Sequence, residues 1–65
     1  MNAYYHWLPD GPEMPSYDEE HAQGKIREVY PDARFERREE PGEENVIKLV
    51  ALVQDQPVAV IWRMR

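Results

Sequence analysis

Residues 46–64 read VIKLVALVQDQPVAVIWRM. Two runs rich in β-branched residues, 46–53 and 58–64, flank Gln54-Asp55-Gln56-Pro57, and such runs around a polar break predict a β-hairpin. Pairing Val53 with Val58, through a loop of about two or four residues, sets Ala51 opposite Val60, Leu49 opposite Trp62 and Ile47 opposite Met64. Every pair on that face is apolar. A slip of one residue would turn the whole set over, so the pattern specifies a register. The opposite face carries Leu52/Ala59, Val50/Ile61, Lys48/Arg63 and Val46/Arg65, apolar near the turn and basic toward the open end.

Upstream, Pro41-Gly42 signals a turn, and 33–39 reads as a strand with Phe35 inward. Arg34, Arg37 and Arg38 suit an edge strand, where charge discourages sheet extension. Before it, Ala22, Ile26, Val29 and Tyr30 recur at helical spacing. Ser16 and Glu19 have capping-box spacing, and Asp18, Glu19 and Glu20 place negative charge at the positive end of a helix. Pro31 ends it, so the helix is expected over about 17–30. Residues 3–8, with Tyr4, Tyr5 and Trp7 around His6, read as a short strand. Pro9, Gly11, Pro12 and Pro15 make 8–16 a Pro-rich linker.

The chain of 65 residues has room for a single small domain spanning 1–65. The expected fold is α+β, in the order β-α-β-β-β, with one helix on a mostly antiparallel sheet of about three to four strands. If the first two strands ran parallel, the crossover through the helix would be right-handed. Whether the first strand joins the sheet or covers its second face stays open.

Domains of this size bury little surface and lean on disulfides, metal or association. There is no Cys, and His6 and His21 are the only imidazoles, so a disulfide is excluded and neither a metal nor another cofactor is expected. Self-association therefore gains weight. A net charge of −5 disfavours nonspecific nucleic-acid binding and permits a basic partner. A hydrophobic content of 42% argues against disorder. No run is long enough to span a membrane, and the N-terminus lacks the pattern of a secretory signal. The expectation is a whole small cytoplasmic protein.

Catalysis is not expected. Ser16 is the only Ser, there is no Thr, and Ser16 is read as a helix cap. The three glycines fit no phosphate-binding loop. Gly24 falls on the outer helix face with Tyr17, His21 and Glu28, where a partner backbone could approach closely, and a tolerated defect or a shorter helix is the simpler reading. Lys48, Arg63 and Arg65, with Arg37 or Arg38, would form a basic patch. Tyr5 or Trp7 beside it would resemble a platform for single-stranded nucleic acid. The acidic clusters, Asp18-Glu19-Glu20 and Glu39-Glu40 with Glu43-Glu44, would instead imitate a phosphate backbone. A nucleic-acid-related regulator is thus the alternative, and solvated charge is the simpler reading of both features.

The most informative feature is apolar residues on both faces of the last two strands, because one helix covers only one face. The expected function is a non-enzymatic protein-interaction or regulatory module, a self-associating homodimer or an adaptor for a larger protein. Trp7, Val50, Leu52 and Ile61 would make the contact, with Lys48, Arg63 and Arg65 at its rim.

Overall fold

The computed structural model describes residues 2–65 and contains β1 (Ala3–Trp7), β2 (Met14–Ser16), α1 (Glu19–Val29), β3 (Arg34–Arg38), β4 (Val46–Val53) and β5 (Gln56–Met64). The fold class is α+β. The sheet has five strands in the order β2-β1-β5-β4-β3, and every neighbouring pair is antiparallel. This exceeds the expected three to four strands, and the element order gains a strand before the helix. Among the described residues no helix is long and apolar enough to cross a membrane.

The additional strand lies inside the Pro-rich segment 8–16. Met14, Pro15 and Ser16 pair with Tyr5, Tyr4 and Ala3. So short a strand with Pro15 at its centre has no legible alternation, and a proline is tolerated because β2 is an edge. β1 joins the sheet beside the central strand, with Tyr5 opposite Ile61 and Trp7 opposite Ala59. β1 and β3 run antiparallel with β5 and β4 between them, so no parallel crossover links them. Instead α1 carries the chain from the β2 edge to the β3 edge.

The hairpin of β4 and β5 forms, with a register different from the expected one. Gln54 and Asp55 have φ of 51° and 65°, as the two-residue primed turn requires. That turn sets Val53 opposite Gln56 and Leu52 opposite Pro57. The register then shifts between Ala51 and Leu52, so that Ala51 faces Ala59, Val50 faces Val60, Leu49 faces Ile61 and Lys48 faces Trp62. Val58 becomes the additional residue of a bulge. Pro57 supplies the reason: without an N–H it cannot sit in a regular central ladder, and a bulge accommodates it. Relative to the expected pairing, β5 is turned over, so Ala59 and Ile61 face the helix while Val60 and Trp62 face away.

The core lies between α1 and the sheet. Tyr5, Ala22, Ile26, Ala33, Leu49, Ala51, Ala59 and Ile61 form one buried cluster. Alanines at 22, 51 and 59 let the helix lie close to the sheet. Trp7 packs against this cluster and meets Tyr30 and Tyr5 edge to face, with centroids 6.1 and 6.0 Å apart.

The helix is shorter than the expected 17–30 at both ends. Ser16 is committed to the β1–β2 ladder, so Asp18 is the N-cap and accepts a hydrogen bond from the His21 backbone N–H at 2.8 Å. The buried arc passes through Ala22 and Ile26 and is bordered by half-buried Glu19, Gln23 and Tyr30. Val29 falls outside this arc and is 58% exposed, contrary to its expected place on the inner face.

Candidate functional site

The sheet face away from α1 is a grid set by the register. One row across it is Pro15, Tyr4, Trp62, Lys48 and Arg38. The next holds His6, Val60, Val50 and Glu36. Tyr4 and Trp62 stack with their centroids 4.8 Å apart and their planes 21° from parallel. Tyr4, His6, Val50, Val60 and Trp62 are all half-buried by one another, and Met64 beyond them is 58% exposed.

Glu13 reaches onto this face from the segment just before β2. Its carboxylate accepts a hydrogen bond from the Trp62 indole N–H. It also lies 3.3 Å from His6 Nδ1. That second approach lacks hydrogen-bond geometry, so Nδ1 is shielded from solvent without a hydrogen-bond partner.

A concavity of about 390 Å³ opens beside the aromatic pair. Its floor is Val50, Val60, Trp62 and His6, and its walls are Lys48, Arg38, Glu39 and Glu40. Lys48 Nζ lies 2.8 Å from Glu43 and 3.8 Å from Glu40. The hydrogen bond from Lys48 holds the Glu43 carboxyl below its ordinary range, and the same bond raises Lys48.

The expected contact residues divide. Val50 and Lys48 lie on the open face. Ile61 is only 1% exposed and sits in the core, and Trp7 packs under the helix. Both were expected on the open face, and the turned-over β5 and the pairing of β1 with β5 put them on the other. Leu52 is buried. Arg63 pairs with Glu19 of the helix at 3.6 Å, so it lies on the helix side, away from Lys48. Arg65 pairs with Glu39 at 3.8 Å. The expected basic patch is therefore divided: Lys48 and Arg38 stay neighbours on the open face, and Arg63 leaves it. Arg38 and Arg34 are each 3.4 Å from Glu36, and Arg37 is 3.6 Å from Glu39.

On the outer helix side, Tyr17 precedes α1, is 75% exposed, and meets His21 edge to face at 5.6 Å. Among the described residues, apart from its chain neighbours and its own helix backbone, nothing comes within 4 Å of a Cβ placed on Gly24. Glu28 lies 3.9 Å from Lys25. Ser16 Oγ is 2.7 Å from His21 Nδ1, the spacing of a nucleophile and its base. Ser16 is 2% exposed, however, and its hydroxyl donates to the Asp18 carbonyl at 3.3 Å. The pair ties the end of β2 to the start of α1.

Sequence reasoning missed Tyr4, His6, Val60, Trp62 and Glu13 as neighbours on one face. The available signal was Pro57, which a regular hairpin register cannot place in a central strand. No known protein family, curated protein or solved structure matches the chain.

Proposed function

We propose that the protein is a non-enzymatic protein-interaction module and that the open sheet face is its contact surface. The observation that carries this reading is the Tyr4–Trp62 stack with Val50 and Val60 on the face opposite the helix. Interface centres are enriched in such aromatic residues, set in a polar rim. The sheet edges support the same reading by offering little for strand addition. β2 is three residues long with Pro15 in the middle, and β3 carries charged side chains at every position but Phe35 along an exposed edge. Self-association is one form the reading takes, since a small domain gains most from it. Direct nucleic-acid binding has less support, because Arg34, Arg38, Lys48, Arg63 and Arg65 are each matched by a carboxylate of the chain itself.

The test contrasts neighbouring residues of β5. Val60→Asp places a charge on the contact surface and is expected to shift the melting temperature by less than about 8 °C, equivalent to about 1 kcal/mol. Ile61→Asp buries an unpaired carboxylate and is expected to abolish folding. If Val60→Asp unfolds the chain as Ile61→Asp does, the open face is a structural core and the reading fails.

A further inference from the structure

We propose that the occupant of the open face is a different chain presenting a basic side chain next to an apolar one; this rests on the reading of that face as a contact surface. Charge is the argument. The cations at the face are already matched, Arg34 by Asp55, Arg38 by Glu36 and Lys48 by Glu40 and Glu43. The Glu13 carboxylate is not matched in that way: among the described residues its side-chain partners are the Trp62 indole N–H and the His6 imidazole, with no Lys or Arg. Unbalanced negative charge therefore stands beside an aromatic stack.

That pairing suits a guanidinium or ammonium group. A cation gains from an aromatic ring face and from a charge-assisted hydrogen bond to a carboxylate. The adjoining concavity of about 390 Å³ has Val50, Val60 and Trp62 in its floor, and its wall mixes Glu39 and Glu40 with Arg38 and Lys48. Its apolar floor takes the apolar side chain, while Glu13 beside the aromatic stack takes the charged head of the neighbouring Arg or Lys. A second copy is the poorer occupant. A two-fold contact presents the same patch to itself, and each chain carries a net charge of −5. The unmatched Glu13 of both copies would be gathered at one interface.

The experiment measures binding of a labelled decapeptide of alternating Arg and Leu, and of its Glu/Leu counterpart, by fluorescence anisotropy at low salt. Amide shifts in the NMR spectrum locate the contact. The basic peptide is expected to bind, to weaken as salt screens the charges, and to shift amides of β1, β4 and β5. Glu13→Gln, an exposed change, is expected to weaken binding about tenfold, while Glu28→Gln on the outer helix face leaves it unchanged. Equal binding of the acidic peptide, or an equal loss with Glu28→Gln, overturns the proposal. Light scattering over a dilution series separates the two readings. A dimer dissolved by Val60→Asp overturns the basic partner and keeps the face as a contact surface. A monomer that binds neither peptide overturns both.

Discussion

Lys48 stands between the loop after β3 and the open face, held by Glu43 and Glu40. Glu43 titrates below its ordinary value of 4.5 because Lys48 donates to it. Its contribution to stability is therefore complete above that value and is lost as pH falls through the folded one. Lys48 titrates above its ordinary value of 10.5, so its contribution is complete below that value and is lost as pH rises through the folded one. The pair stabilises the fold between these limits. Glu43→Gln should lower the melting temperature by a constant small amount across this window, and the difference should close as pH falls through the folded-state titration of Glu43. A difference that persists in acid would assign the loss to something other than the pair. Gly24 makes an opposite prediction. Its surroundings are empty and its φ is not positive, so Gly24→Ala should stabilise the helix by about 0.5–1 kcal/mol. A lower melting temperature would show that the backbone is approached there. Gly24 was legible as an oddity of the helix, whereas its open surroundings appear only in the folded chain.

Among the elements, the β1–β2 hairpin positions the candidate site, because it delivers Glu13 to Trp62. Its turn depends on Gly11, whose N–H donates to the Trp7 carbonyl at 2.7 Å. A Cβ on Gly11 would lie 2.7 Å from the Trp7 Cβ and carbonyl oxygen and 2.8 Å from its nitrogen. These are mostly backbone atoms, so the turn itself has to open. Gly11→Ala should cost about 1–3 kcal/mol and shift the Trp62 indole N–H resonance as Glu13 withdraws. An unchanged indole resonance would show that Glu13 is held by something other than this turn. Elements with strong periodicity were legible in the sequence: the helix from Ala22 and Ile26, and the final hairpin from its β-branched runs. The Pro41-Gly42 turn was legible too, with Gly42 at φ 85° and the Glu43 N–H donating to the Glu40 carbonyl at 3.1 Å. β2 was not, because three residues around a proline carry no pattern.

For the whole molecule, the composition already implied an α+β domain with one helix, since a single amphipathic segment stood among several strand-like runs. The sequence by itself also determined that one sheet face would be left without a helix and that apolar residues would lie on it. Only the tertiary structure decided which residues those are. Both hairpin registers pair apolar residues on the two faces, so hydrophobic pattern alone does not separate them. The choice fell to the primed turn at Gln54-Asp55 and the missing N–H of Pro57, which together insert a bulge and turn β5 over. That half-turn moved Ile61 into the core and brought Trp62 out beside Tyr4. The placement of charge followed from the same folding, because Arg63 met Glu19 and Arg65 met Glu39 across long stretches of chain. Local preference acts over a few residues and specifies elements. Which side of a strand faces the helix, and which carboxylate meets which base, is a long-range outcome that exists only once the strands have paired.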